Sequence, residues 1–190
     1  FPFLLVNIGS GVSILRVDDE KHYVRVGGSS LGGGTFYGLC RLLTGCQSFA
    51  EALALAHHGK GSKVDLLVSD IYGRDYSAMG LSGDTIAASF GKLARAKTEV
   101  SREDLAKAAL VMITNNICSL AHLYARQVLR VPSVVFVGNF LRNNLLAMRM
   151  LSYALMYWSS NTIEAIFLKH EGYFGSLGAL MAGEDEGEAE

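Results

Sequence analysis

The sequence predicts an α/β fold on a mixed sheet, with three antiparallel strands first and strands alternating with helices (βαβα) after them. Three observations carry this expectation. Short β-type runs at 4–6, 12–17 and 23–26 are separated by a glycine turn and by the polar hairpin signal Asp18, Asp19, Glu20, Lys21. Apolar residues then recur at helical spacing in several stretches between 36 and 128. Finally, two compact apolar runs at 134–137 and 163–168 bracket one more helical stretch.

Leu4, Leu5 and Val6 form a continuous apolar run, the pattern of a strand buried on both faces. The chain then turns through Asn7, Ile8, Gly9, Ser10 and Gly11 into the second strand. After the third strand, Gly27, Gly28, Ser29, Ser30, Leu31, Gly32, Gly33, Gly34 and Thr35 lead into a helix over 36–43, with Phe36, Leu39, Leu42 and Leu43 on one face. Ser48 and Glu51 form a capping box for a helix that ends at His57 and His58, where Gly59 and Gly61 follow. Ser62 and Asp65 repeat the spacing ahead of a short helix over 63–71. Residues 72–90 read as a loop carrying Tyr72, Tyr76 and Met79, suited equally to a contact surface and to core packing. Ser101 and Asp104 cap the longest helix, 102–128, with Leu105, Ala109, Met112, Ile113, Asn116, Leu120 and Leu123 expected near one face. Asn115 and Asn116 inside it need partners, either neighbouring backbone or the glycine loops. Pro132 closes the connection to the strand at 134–137, which Gly138 and Asn139 end. A helix follows from about Asn143 or Asn144 to Trp158 with Leu146, Met150, Leu151, Ala154 and Leu155 inward, then the strand at 163–168, a turn at 169–175 and a last helix at 176–181.

Composition bounds the function. At 190 residues, half of them hydrophobic, the chain can bury one sizeable core. Seventeen basic against eighteen acidic residues leave a net charge of -1, so whole-chain charge makes no case for nucleic acid. The acidic block at 184–190 reads as a solvated tail. Cys40, Cys46 and Cys118 lack metal-ligand spacing and read as reduced, partly buried thiols of a cytosol-like compartment, so no metal site is expected. No apolar run is expected to reach membrane-spanning length, because Asn115 and Asn116 interrupt the longest one. There is no signal-peptide pattern. The chain starts at Phe1 and enters a strand within three residues, so it is expected to be a piece of a longer protein.

The two glycine-rich turns, one inside a β-hairpin and one opening a helix, are candidate phosphate sites. Without Cβ atoms, backbone N–H groups approach an anion closely, and a helix start adds free donors and the positive dipole end. Glycine clusters are also plain turn chemistry, and neither run matches the Walker spacing with its Lys or the dinucleotide fingerprint. Their joint occurrence favours the anion reading. The adjacent His57 and His58 point apart on a helix, and His170 beside Glu171 does not face it, so both pairs read as structural.

The element order is that of one ribonuclease-H-like half of the actin, Hsp70 and sugar-kinase architecture, which places ATP between two such halves. More specifically, NIGSGVS (7–13), GGSSLGGGTF (27–36), DIYGRDY (70–76), VFVGNFLRNN (135–144) and HEGYFGSLGA (170–179) resemble, in order and spacing, the carboxy-terminal half of the eukaryotic-type (type II) pantothenate kinase family. The resemblance covers nearly the whole chain. It implies residues 1–183 as the carboxy-terminal lobe and 184–190 as a tail, with the amino-terminal lobe lying outside this chain.

The activity implied is ATP-dependent phosphorylation of pantothenate to 4′-phosphopantothenate, with Mg2+ accompanying the nucleotide and acyl-CoA as feedback inhibitor. By the same resemblance, Ser10, Ser13 and Arg25 match positions that contact pantothenate or acyl-CoA, and two hydroxyls with a guanidinium suit a polyhydroxy amide bearing an anionic end. Gly9, Gly11, Gly32, Gly33, Gly34, Gly138 and Asn139 would line the nucleotide side. Tyr72, Tyr76, Ala87 and Trp158 match the contribution of the second protomer of a homodimer to the substrate pocket.

No catalytic residue is assigned within the segment. The family's Asp-Gly-Gly-Thr phosphate loop and its general-base Glu belong to the amino-terminal half, so this segment alone is expected to be inactive. Asp18, Asp19 and Glu20 sit at a hairpin tip, and Asp70 and Asp75 flank the aromatic loop. Arg74, Ser82, Asp84 and Cys118 depart from the family's usual residues, and Gly27-Gly28-Ser29-Ser30 differs from the Thr-Gly-Thr-Ser of some members in a way that occurs in members with degenerate activity. The alternative is therefore a non-catalytic, metabolite-sensing or scaffold member. A sugar or acetylglucosamine kinase of the same architecture would not explain DIYG or HEGYFG. The compartment is expected to be cytoplasmic, with mitochondrial targeting left to upstream residues.

Overall fold

The structure, a computed structural model, describes residues 1–94, 99–168, 175–176 and 178–181. In chain order the elements are β1 (Phe3–Ile8), β2 (Val12–Val17), β3 (Tyr23–Ser29), α1 (Gly33–Thr44), α2 (Phe49–His58), β4 (Leu66–Leu67), α3 (Val68–Tyr72), β5 (Ile86–Ala88), α4 (Arg102–Leu123), β6 (Ser133–Val137), α5 (Leu145–Trp158) and β7 (Glu164–Phe167). The chain divides into two compact units, one of Phe1–Gly33 with Ile117–Glu190 and one of Gly34–Asn116.

The first unit is built on a five-stranded mixed sheet in the order β3-β2-β1-β6-β7. β2 pairs antiparallel with both β1 and β3, as the polar hairpin predicts, while β6 runs parallel to both β1 and β7. Leu4, Val6 and Ile8 of β1, Ile14 of β2 and Val134 and Phe136 of β6 are completely buried, each contributing about 1.5–3 kcal/mol by leaving water. β1 is not closed on both faces, because Leu5 is half-buried and Asn7 exposed. A three-residue apolar run is too short to reveal the alternation that Asn7 completes.

Ile117, Cys118 and Ala121 at the end of α4, with Leu151 and Leu155 of α5, complete this core. The Cys118 thiol donates to the Leu151 carbonyl at 3.5 Å, and burial pushes it up to about 12. The inward stripe of α4 differs from the expected one. It follows Ala106, Ala109, Leu110, Ile113, Ile117 and Ala121, so Ala109 and Ile113 face inward as expected, while Leu123 is exposed and Leu105, Met112, Asn116 and Leu120 are half-buried. Past Leu123 the helix widens into a π-helical turn, Tyr124–Val128. Contrary to the sequence reading, Arg102–Val128 is long and apolar enough to cross a membrane by length and composition, the asparagine pair being too small an interruption; half of its most apolar stretch is buried inside the fold. In α5, Asn144 is the N-cap: its Oδ1 accepts from the Ala147 amide at 3.0 Å and its Nδ2 donates to the Phe140 carbonyl at 3.1 Å. Ala147, Leu151, Ala154 and Leu155 face inward, whereas Leu146 and Met150 are half-buried.

In the second unit the Ser48 hydroxyl accepts from the Glu51 amide at 3.1 Å, and Glu51 reaches back to the Gln47 amide at 2.8 Å, one residue before the position a capping box usually uses. The helix expected over 63–71 is replaced by a 3-10 turn at Gly61–Lys63, the strand β4 and the short helix α3. The reason is tertiary. Asp65 does not pair with Ser62 as a cap but turns inward, and its Oδ1 accepts from the Phe90 amide at 2.9 Å. Leu66–Leu67 then pairs antiparallel with β5, and Asp70 accepts from the Leu67 amide at 2.8 Å to start α3. The stretch 72–90 accordingly holds β5 and a 3-10 turn at Ser77–Met79.

The turn expected at 169–175 lies outside the described residues through Phe174, with His170, Glu171 and much of the last motif, as does the acidic block at 184–190. Residues 175–176 and 178–181 are helical.

Candidate functional site

β1 and β6 are parallel neighbours with Asn7 opposite Val137, so the turns leaving their carboxyl ends, at 9–11 and 138–139, start side by side. Ligand crevices of such sheets lie at this edge. Gly138 has φ +108, a conformation L side chains rarely adopt, and a Cβ there would run into the Ile8 carbonyl and stand 2.6 Å from Asn7 Oδ1. The third glycine turn folds onto the first. A Cβ on Gly32 would lie 2.6 Å from the Ser10 carbonyl oxygen and 2.7 Å from the Gly11 Cα, and the Gly33 amide donates to the Gly9 carbonyl at 2.8 Å.

The three glycine turns thus form one corner of bare backbone. The amides of Gly9 and Gly33 are engaged within it, Gly9 to the Gly11 carbonyl at 2.9 Å and Gly33 to Gly9. Gly9 itself faces open space. Gly34 follows in the first turn of α1, which carries no acidic side chain; amides in a first helical turn lack intrahelical acceptors and sit at the positive end of the dipole. Asn139 is exposed at the head of a 3-10 turn, Asn139–Leu141.

Beside this corner, the pairing of β3 with β2 shifts between Ile14 and Leu15: Gly27 lies opposite Ile14 and Arg25 opposite Leu15, leaving Val26 as the extra residue of a β-bulge. The bulge turns Arg25 to the face that carries Ser13 and its partner Gly28. There Arg25 Nε donates to Ser13 Oγ at 3.1 Å. Gly27 faces the other way, where the Tyr124 ring fills the space a side chain would need. Ser10 is exposed at the tip of the first turn.

At the same edge of the sheet, a cavity of about 550 Å³ is lined by Asn143, Asn144, Leu145 and Met148 at the start of α5 and by Phe167 and Leu168 at the end of β7. Its walls are mainly apolar. Trp158 does not join this group, since it ends α5, about 20 Å along the helix from Asn144. Tyr72 and Tyr76 belong to the second unit, where their rings stack at 4.5 Å and 10° and both are exposed, as is Ala87 in β5. Asp75, which flanks them, accepts from the Gly83 amide at 2.6 Å, and Asp70 pairs with Lys92 at 2.8 Å, so both carboxylates hold the loop. Among the described residues no group of three or more His, Cys, Asp and Glu is placed to hold a metal ion.

Three participants were not singled out from sequence: Gly28, Tyr124 and Asn144. The cap spacing before 145 was the available signal for Asn144. Nothing local marks Tyr124 as the neighbour of Gly27, nearly a hundred residues away.

The chain is similar to a xylulose kinase and a gluconate kinase from Lactobacillus acidophilus, each with a TM-score of 0.55 at 13% and 16% identity, covering 89% of this chain and 35% of theirs, which shows the sugar-kinase fold. It is 48% identical to pantothenate kinase of Schizosaccharomyces pombe, covering 95% of this chain and 46% of that protein. It is 47% identical to pantothenate kinase 1 of Arabidopsis thaliana, covering 98% and 49%. It is also 49% identical to a mouse protein named 4′-phosphopantetheine phosphatase, covering 98% and 23%. The chain therefore spans between about a quarter and a half of these relatives. The family model described as Fumble matches residues 1–182, and the chain belongs to that family, the eukaryotic-type pantothenate kinases.

Proposed function

We propose that this chain is the carboxy-terminal lobe of an ATP-dependent pantothenate kinase that makes 4′-phosphopantothenate, the first step of coenzyme A biosynthesis, under feedback by acyl-CoA. The observation that carries the reading is the Arg25–Ser13 pair beside a corner of three glycine turns at the carboxyl edge of the sheet. On this reading the corner admits the nucleotide phosphates closely, because no Cβ stands in the way, and the apolar cavity at the start of α5 takes the base. Ser10 hydrogen-bonds the pantoyl hydroxyls, and Arg25 holds the anionic end of pantothenate or a phosphate of acyl-CoA.

Phosphoryl transfer depends mostly on positioning and charge stabilisation, which is what these groups supply. The γ-phosphoryl group would pass from ATP to the primary hydroxyl of pantothenate, with that proton leaving to a Glu of the amino-terminal lobe, so this segment alone would not turn over. Mg2+ would come with the nucleotide's own phosphates and water, since among the described residues no carboxylate cluster fits it. Tyr72, Tyr76, Ala87 and Trp158 would complete a pocket across a cytoplasmic homodimer, which explains exposed, stacked aromatics without acid-base groups around them.

A second reading has its own support. The mouse relative carries a different activity in its name, and Gly27-Gly28-Ser29-Ser30 departs from the Thr-Gly-Thr-Ser of some members. It makes the chain a ligand-sensing or scaffold part of a larger protein. The experiment is an assay of the full-length protein with ATP and labelled pantothenate. ATP-dependent product is expected, and Arg25→Ala should lower both turnover and acetyl-CoA inhibition. No product from a folded protein that still binds acetyl-CoA selects the second reading, and Arg25→Ala with both values unchanged removes Arg25 from the site.

A further inference from the structure

We infer that Ser13 and Gly28 form a seat that holds the Arg25 guanidinium in one orientation, making them positioning residues for the anion contact; this rests on the preceding reading that Arg25 meets the ligand. Three observations lead there. The bulge at Val26 brings Arg25 and Gly28 onto one face of β3, opposite Ser13. Ser13 Oγ accepts from Arg25 Nε at 3.1 Å, which ties one edge of the planar fork. A Cβ on Gly28 would stand 2.6 Å from Arg25 Nη2 and 2.5 Å from the Val12 carbonyl oxygen, so the other edge rests on the bare α-carbon of residue 28.

These contacts act differently when disturbed. The Val12 carbonyl belongs to the β2–β3 ladder and cannot move cheaply, whereas the tip of a flexible arginine can. A methyl at 28 therefore lifts the guanidinium off its seat and breaks the bond to Ser13. An arginine fixed at Nε presents its remaining N–H groups in a set direction, and fixing a side chain before binding lowers the ordering cost that association otherwise carries. Arg25 is exposed, and among the described residues Ser13 is its one hydrogen-bond partner. The neighbouring Gly27 supplies a control, because it clears space for the Tyr124 ring on the opposite face.

The test is titration of the full-length protein with acetyl-CoA by calorimetry, with thermal unfolding of every variant. Arg25→Ala should weaken binding roughly tenfold, the equivalent of losing one charge-assisted contact. Gly28→Ala and Ser13→Ala should each weaken it severalfold, add nothing further in the Arg25→Ala background, and leave Ser13→Thr close to the parent. Gly27→Ala should lower the melting temperature with a far smaller effect on affinity. If Arg25→Ala weakens binding while Gly28→Ala and Ser13→Ala do not, or if their effects add to that of Arg25→Ala, the seat is overturned and the site stands. If Arg25→Ala has no effect, the reading of the site falls and the seat with it. Should Gly28→Ala fail to fold, the cycle between Ser13→Ala and Arg25→Ala still decides, full coupling supporting the seat and additivity overturning it.

Discussion

At the carboxyl edge of the five-stranded sheet, the turns are fixed by backbone lying directly on backbone. Gly32 packs on the Ser10 carbonyl and Gly11, Gly33 bonds to Gly9, and Gly138 packs beside Asn7 and Ile8. In the second unit, loops are fixed by carboxylates that reach far along the chain. Asp104, almost fully buried, accepts from the Lys60 amide at 2.8 Å and pairs with Lys63 at 3.1 Å, and Asp65 accepts from the Phe90 amide at 2.9 Å. The first means demands a particular residue, because only glycine fits, and leaves backbone without side chains, with open space beside Gly9. The second tolerates many neighbours and leaves its polar groups engaged inside. A binding edge suits the former, and a support for an aromatic loop suits the latter.

The largest expected break in this comparison is Gly32→Ala. The three nearest atoms that a new Cβ would meet are all main-chain atoms, so the strain cannot be relieved by a rotamer change, and we expect a loss of about 3 kcal/mol in chemical denaturation. A loss under about 0.5 kcal/mol would show that the corner can open, and the backbone account of the site would fail.

Asp104→Ala tests the other means. It removes the acceptor of the Lys60 and Ser101 amides together with the partner of Lys63, for an expected loss of about 2 kcal/mol. The pH dependence separates the two buried aspartates. Burial works against ionised Asp104, but bonds from Lys60, Lys63 and Ser101 outweigh it and hold its carboxyl below the usual range. Its contribution is present above the unfolded value and is lost as pH falls through the folded one. For Asp65 the sign is opposite: burial raises it, against the Phe90 amide and Lys92, and one of its oxygens, Oδ2, has no partner. The stability tied to its proton is present below the unfolded value and is lost as pH rises through the folded one. Asp104→Ala should therefore flatten the acid limb of a stability-against-pH curve, and Asp65→Asn should remove a decline on its upper side. Unchanged limbs would count against both assignments.

This difference also explains what was legible in the sequence. The five strands of the main sheet, the caps at Ser48 and Ser101, and the glycine turns were readable, because each depends on residues within a few positions of one another; the mixed sheet followed from the order of the elements. The misplaced helix at 63–71 was not, since Asp65 answers to Phe90 and β4 to β5. Nor was the whole inward face of α4, where Ala109 and Ile113 are buried as read but Ala106 and Ala121 are buried too and Leu123 is exposed. At the site, Arg25 and Ser13 could be named, yet the bulge that joins them depends on cross-strand register, and Tyr124 reaches Gly27 only through the fold.

Ser48→Ala is a smaller test within the second unit. The bond from the Glu51 amide is local and partly exposed, so the loss should be about 1 kcal/mol, below that of Asp104→Ala. Equal effects would mean that long-range carboxylates hold this unit no better than an ordinary cap.

The smallest effect should carry the opposite sign. Gly38 lies in the interior of α1, six residues past Gly32, and a Cβ there meets nothing within 4 Å. With no close approach to serve, its glycine adds only backbone entropy to the unfolded chain, so Gly38→Ala should stabilise by about 0.5–1 kcal/mol. Measured in the same denaturation series, Gly32→Ala and Gly38→Ala then differ in sign although the residues sit in the same glycine-rich stretch. If both destabilise, crowding by main-chain atoms is not what distinguishes the site glycines, and the corner owes its form to something other than the space a Cβ would take.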